Sequence, residues 1–367
     1  MGMTRRERLS RCYRCEETDR PAVYTRTGYP ADDPTYDRLK AYMAEKSELK
    51  AGFSSGSFET HPAISSVTEP HNADFERRVD ILETPKGPLR RSFLISLKGQ
   101  PGMEETPFIN SAEDAERYLS LPLPAPAGDA SGFFKTDAAI GDAGITEVGL
   151  GMNPGGRTAE LCGSENFAVM SLTDRALLHR LCERHMRILL NRVRFLAGQG
   201  VGPFFSMLGE EYIVPPLHGR KDFDDFNVRY DKPIVDAIHE AGGRVHIHCH
   251  GPIRTVFAGF LEIGADVLHP IEPPPLGDLP AAEAKALARG RLCLEGNIQI
   301  HRLYEATPEA VREETARLID DAFDDRRGLI VSPSASPYIR GAGERCFEQY
   351  RALVETVLER GAAPDSL

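Results

Sequence analysis

The sequence predicts an α/β fold, a (β/α)8 TIM barrel with an N-terminal extension and a β-hairpin insertion. Three observations lead there. The second half alternates short apolar runs with amphipathic stretches, about five times in units of roughly 20 to 40 residues, which implies a parallel sheet covered by helices. No G-x-G-x-x-G follows any of these runs, so the open, doubly wound alternative lacks its dinucleotide-binding signature. The 367 residues, 41% of them hydrophobic, suit one large barrel domain over 1–367.

Taken in order, Ala22 to Thr25 reads as a first strand. Val79 to Leu97 reads as a hairpin turning through Pro85 to Pro88. Ser111 to Asp114 resembles a capping box that opens a short helix. Leu121 to Gly128 (LPLPAPAG) reads as a surface connector. Strand one, the hairpin and a helical insertion thus fill residues 20–130, and the main run of βα units fills 140–360. Thr146 to Met152 is a strand, and Thr173 is placed as the cap of a long helix reaching Ala197. Further strands are expected at 203–208, 244–249, 266–269, 292–295 and 328–332. Helices are expected at 222–240, 253–263, 281–288, from Pro308 onward with Thr307 as N-cap, and at 343–359.

Composition excludes several roles. The net charge of −11 makes nucleic acid a poor partner, although a local arginine cluster can still hold a small anion. No apolar run approaches the roughly 18 residues of a membrane span. The basic, polar stretch from Met1 to Arg14 does not resemble a secretory signal. Seven cysteines at wide spacings argue for a reducing, cytoplasmic setting rather than a disulfide framework. Cys12 and Cys15, a lone C-x-x-C with no second pair, read as two helix cysteines.

The most informative stretch is Arg244 to Gly251 (RVHIHCHG). Side chains of a strand alternate faces with period two, so His246, His248 and His250 share one face and Val245, Ile247 and Cys249 the other. The apolar set suits the helix side. The histidines then line the barrel interior, with His250 nearest the C-terminal mouth, where active sites of this fold sit. Two imidazoles at i and i+2 form a bidentate metal platform. Buried, hydrogen-bonded histidines would give the same pattern, and His246, the deepest, is assigned that role.

From here the residues resemble the uroporphyrinogen decarboxylase superfamily, closest in pattern to its corrinoid (cobalamin)-dependent methyltransferase branch. The likeness rests on HIHCHG, on Leu261 to Glu272 (LEIGADVLHPIE), on Glu83 to Leu89 (ETPKGPL), on Gly209 to Tyr212 (GEEY), on Leu294 to Ile298 (LEGNI) and on Gly343 to Arg345. In the branch this strand ends H-x-C-G, and its His and Cys bind zinc. The resemblance therefore places metal ligands at His248 and His250. The family's third ligand, a Cys after the last strand, falls on Ala335. The thiolate-rich site is thus absent, and a carboxylate or water is expected instead. Glu210, Glu211, Glu272 and Glu295 all follow strands; Glu295 is named as the metal ligand, Glu210 and Glu211 as catalytic. The decarboxylase branch's M-R-Q-A-G-R-Y motif corresponds to Tyr24 to Tyr29, where Arg26 and Gly28 fit and the second Arg is missing.

The resemblance implies metal-assisted methyl transfer from a methyl-corrinoid, free as cobalamin or carried by a partner protein, to a thiol or folate-type small-molecule acceptor. A divalent metal, zinc in the family, would assist. Arg26 is expected to act in catalysis and in binding substrate, and Tyr212, Asn297 and Tyr338 to bind it. Two other readings are cofactor-free decarboxylation of a porphyrinogen, with Arg26 and Asp32 or Asp33, and a non-catalytic corrinoid-binding barrel. His218 and His301 are expected to be solvated loop residues, Phe204 and Phe205 core. No membrane partner is expected, and a homodimer is left open.

Overall fold

The computed structural model describes residues 2–58, 62–98 and 102–360. Eight parallel strands form one curled sheet: β1 (Ala22–Val23), β2 (Leu49–Ser54), β7 (Gly144–Met152), β8 (Phe204–Leu208), β9 (Arg244–His248), β10 (Val267–His269), β11 (Cys293–Ile298) and β12 (Leu329–Pro333). Their order is β1-β12-β11-β10-β9-β8-β7-β2. The two ends of this order approach each other, since Glu48 N–H donates to the Val23 carbonyl at 2.9 Å. The arrangement is TIM-barrel-like.

Between β2 and β7 lies a separate antiparallel sheet, β3 (Ile64–Pro70), β4 (Phe75–Leu82), β5 (Leu89–Ser96) and β6 (Met103–Thr106). The expected hairpin is its central pair, with Leu82 opposite Leu89. The sequence shows only that pair because every residue of β3 is exposed, so no apolar alternation marks it.

Burial follows the strand period. Val245 and Ile247 are fully buried; each such side chain contributes roughly 1.5–3 kcal/mol by leaving water. They join a core in which Val148, Phe205, Leu268, Leu294 and Val331 pack with helix residues such as Ile234, Phe260 and Leu353. Both faces of a parallel sheet being covered explains the near-continuous apolar runs.

Three expectations need correction. Thr173 ends the helix Ser164–Thr173; the long helix Arg175–Gly198 is capped by Asp174, whose side chain accepts from Leu177 N–H. Asp is the better start because it accepts from an N–H the helix cannot satisfy. Cys15 lies beyond the helix Arg5–Cys12, in the turn that follows. The expected helix 222–240 divides into Arg220–Phe223, a wider turn over Asp224–Val228, and Arg229–Glu240. Where they can be checked, the capping box and Thr307 cap stand: Asp114 N–H donates to Ser111 Oγ and Ala310 N–H to Thr307 Oγ1. All seven cysteines are free and buried. Among the described residues no helix is long and apolar enough to cross a membrane.

Candidate active site

A cavity of about 580 Å³ opens at the C-terminal ends of the strands. Much of its lining alternates with period two: Tyr24 and Arg26 after β1, Lys50, Gly52 and Ser54 on β2, Glu147, Gly149 and Gly151 on β7, His246 and His248 on β9; Phe53 on β2 and the consecutive Ser206, Met207 and Leu208 on β8 complete it. The glycines leave the space open, for a Cβ at Gly52 or Gly151 would meet nothing within 4 Å.

The floor is an ion cluster. Lys50 Nζ lies 2.6 Å from Glu295 Oε2 and 3.6 Å from Glu147 Oε1, and Glu147 accepts from Tyr13 OH at 2.5 Å. Burial works against the Lys50 charge, but Glu295 and Glu147 outweigh it and raise its pKa. Burial pushes Glu295 up against the pull of Lys50. His246 sits beside it, Nε2 3.6 Å from Glu295 Oε2, and burial first, then Lys50 and Arg26, hold it neutral.

Above the floor the imidazoles form a directed chain. The strand register sets His248 beside His269, and their Nδ1 atoms are 2.8 Å apart. His269 Nε2 lies 3.0 Å from the Pro333 carbonyl oxygen, which can only accept. His269 therefore carries its proton on Nε2, and its Nδ1 accepts from His248 Nδ1–H. That tautomer leaves the lone pair of His248 on Nε2. Burial, then Arg26 and His250, push the His248 pKa down to about 3, and the same influences of burial and Arg26 hold His269 neutral. His250 Nδ1 is 3.2 Å from Glu272 Oε1, so its Nδ1–H donates to the carboxylate. Burial works against the Glu272 charge, yet His250 and the Gly251 N–H keep its pKa low. The His248 and His250 ring centroids are 4.6 Å apart.

Arg26 stands over this chain. Its Nη1 is 3.3 Å from His269 Nδ1, and its Nε is buried without a hydrogen-bond partner. Its φ of 55° is left-handed, a strained state for arginine that its surroundings must hold. No carboxylate pairs with it among the described residues, so it is a fixed cation ready for an anion.

The other expected residues are spread out. Glu210 is fully buried beside Asp231, away from the cavity lining, with both carboxylate oxygens unpartnered. Glu211 accepts from Gly209 N–H and is pushed up by burial, with His250 near enough to oppose this. Tyr212 packs on the cluster of Ile213, Phe226 and Tyr230. Asn297 lies on β11 and does not line the cavity. Tyr338 is exposed at the rim, edge-on to Tyr304. Phe204 and Phe205 are buried. His218 is corrected: it is buried and bonded to Asp222 at 3.1 Å rather than solvated, whereas His301 is exposed. Asp33 is tied to Thr35 and to Gly341 N–H, and Asp32 is exposed.

The zinc site implied by the resemblance does not fit these residues. Glu295, the expected third ligand, is committed to Lys50 one layer deeper. Cys249 faces away, and burial, with Glu210, Glu211 and Glu272, raises its thiol. Among the described residues no three or more His, Cys, Asp or Glu side chains are grouped to hold an ion. Lys50, Glu147 and His269 were not expected as site residues. The alternation of Lys50, Gly52 and Ser54 against Leu49, Ala51 and Phe53 is the signal that carries the first.

A sequence profile of the uroporphyrinogen decarboxylase (URO-D) family matches residues 154–358, more than half of the chain. No curated protein matches. Among solved structures, a methyltransferase from Methanosarcina mazei superposes with a TM-score of 0.61 at 14% identity, covering 98% of this chain and 99% of that one. That likeness shows the shared fold. A D-psicose 3-epimerase from Clostridium cellulolyticum H10 superposes with a TM-score of 0.39 at 10% identity over 64% of this chain and 83% of its own. A D-allulose 3-epimerase from Methylomonas sp. does so with 0.35 at 12% over 68% and 94%.

Proposed function

Because the chain belongs to the uroporphyrinogen decarboxylase family, we propose that it is an enzyme that moves a methyl group from a methyl-corrinoid, free or on a partner protein, to an anionic thiol or folate-type acceptor. The observation that carries this reading is the tautomer chain from Pro333 through His269 to His248, which turns a lone pair toward a mouth that also presents an unpaired guanidinium. Arg26 would anchor the acceptor's acidic group by a charge-assisted hydrogen bond. The acceptor proton would pass to His248 Nε2. An imidazole held neutral by burial and a nearby cation gains basicity when a negative charge arrives beside it, so binding an anion readies this base. As the acceptor–carbon bond forms, the cobalt–carbon bond breaks and both its electrons stay with the corrinoid. No step is assigned to a metal ion, since the ligand set does not support one.

The decarboxylase reading has Arg26 in its favour but lacks an acid. Asp33, its best candidate, is engaged with Thr35 and Gly341. The test is demethylation of methylcobalamin followed by visible absorbance, with 2-mercaptoethanol and 3-mercaptopropionate as acceptors. The expected result is turnover that favours the acidic thiol and falls about 100-fold in His248→Ala, a usual scale for losing a general base. Release of carbon dioxide from uroporphyrinogen, with no demethylation by either thiol, overturns the proposal. Tight cobalamin binding with no turnover of either kind would favour a non-catalytic barrel.

A further inference from the structure

A second, larger cavity of about 800 Å³ adjoins the mouth. It lies between the inserted sheet, the connector from Leu121 to Ala125 and the long helix Arg175–Gly198. Its walls are mostly apolar, with Leu82, Phe108, Leu123 and Ile188 among them. Its polar side chains are turned on one another and on the backbone. Arg157 is ion-paired with Glu160, Arg184 donates to the carbonyls of Leu121 and Pro122 at 2.7 and 2.8 Å, and Arg192 donates to the Leu150 carbonyl at 2.6 Å. The Tyr118 hydroxyl meets Arg157, Arg184 and, at 3.4 Å, His185 Nε2. Burial, then Arg157 and Arg184, holds His185 neutral. Ser54 is engaged as well. Arg184 Nε has no partner, but protein atoms enclose it.

A molecule entering this cavity therefore meets hydrocarbon, together with polar groups that already have protein partners. Apolar surface gains by leaving water there. A hydroxyl or charge carried into it loses its hydration and finds no waiting partner, which costs binding. The size of the cavity suits a small molecule. It also communicates with the mouth, because the two cavities share Ser54, Gly149 and Gly151 as lining. Gly151 has φ 84°, a backbone state that suits glycine, and a Cβ there would meet nothing within 4 Å, so the sill between them is low.

We propose that this lateral cavity is a binding site for a neutral, largely hydrocarbon molecule, or for such a portion of a larger one, held beside the mouth by apolar contact alone. The closed polar network around Tyr118 shapes the wall and rejects ligands that carry a polar group into it. This assignment stands on the lining of the cavity and not on the methyl-transfer reading of the mouth.

The test is titration calorimetry of the full chain with octan-1-ol, hexan-1-ol and octane-1,8-diol. The expected result is one octan-1-ol per chain. Hexan-1-ol, two methylenes shorter, should bind about tenfold weaker. The diol has the same length but must bury a second hydroxyl, and it should also bind about tenfold weaker. Ile188→Trp and Leu123→Trp fill the cavity from half-buried positions on two different elements, and each should weaken octan-1-ol about tenfold. Absence of octan-1-ol binding to the unaltered protein overturns the proposal, and so does a diol that binds as tightly as the alcohol; neither reading needs a variant. Unchanged binding in either Trp variant whose melting transition matches the parent overturns it too. None of these readings depends on turnover. Failed demethylation with intact octan-1-ol binding would remove the methyl-transfer reading alone, and the reverse pattern would remove only this one.

Discussion

Glu210 and Asp231 are both fully buried. Asn153 Nδ2 donates to both oxygens of Asp231, at 2.9 and 3.2 Å, while neither oxygen of Glu210 has a partner. Burial, then the neighbouring Asp231, raises the Glu210 pKa well above its usual range, and burial raises Asp231 as well, so the folded state holds protons here more tightly than the unfolded chain does. In the unfolded chain it ionises near 4.3. Between those two values the folded state binds the extra proton, so the stability this proton supports is complete below about pH 4 and is lost as pH rises toward the folded value. Each pH unit in that window costs about 1.4 kcal/mol. Glu210→Gln has the same shape and no proton to hold. Its stability relative to the parent should therefore rise as pH climbs, by up to about 1.4 kcal/mol for each pH unit within the window, measured by denaturant unfolding at pH 5 and pH 7. A difference that does not change with pH would refute the reasoning, because it would mean that Glu210 ionises alike in both states.

Lys50→Ala should destabilise the fold by about 3–5 kcal/mol, because Glu295 and Glu147 would remain in the barrel floor without their cation, and Lys50→Met with Glu295→Gln should recover most of the loss in a melting experiment. Arg26→Gln should raise KM for an acidic thiol about tenfold or more and leave a neutral thiol within about twofold, as steady-state kinetics with the two acceptors would show; an equal effect on both would detach Arg26 from anion binding. Treatment with a chelator should leave demethylation within about twofold, since among the described residues no third protein ligand joins His248 and His250; a larger loss restored by added zinc would reinstate a metal centre.

The fold was legible where one physical rule governed a whole segment. From β8 onward each strand is short, buries apolar residues on its helix side and is followed by a helix, because both faces of the sheet are covered and each element must supply its own share of the core. The histidine strand was legible for the same reason: Val245 and Ile247 need the helix side, so His246 and His248 have only the interior left, and both line the mouth cavity. The rule fails on β2. Its interior face carries Lys50, Gly52 and Ser54, a cation and two small residues, so the segment reads as polar when taken alone. The partner of Lys50 is Glu295, 245 positions later; the period of two gives Lys50 its face, but no local pattern names a partner so distant.

The same logic explains why Glu295 was misplaced as a ligand while His269 was overlooked. Glu295 lies within β11 and His269 ends β10, and position along a strand says which face a residue takes but not which neighbour has already claimed it. Lys50 claims Glu295 at 2.6 Å, and the parallel register between β9 and β10 delivers His269 to His248. Register in a parallel sheet is fixed by packing across several strands, not by the residues in contact. What decides the chemistry is then a carbonyl. Pro333 can only accept a hydrogen bond, and from that one constraint follow the tautomer of His269, the tautomer of His248 and the lone pair that faces the mouth. Restoring the family's cysteine at Ala335, two residues beyond Pro333, would add a thiol to this end of the barrel but would not free His248 from His269. The site is organised by its imidazole chain.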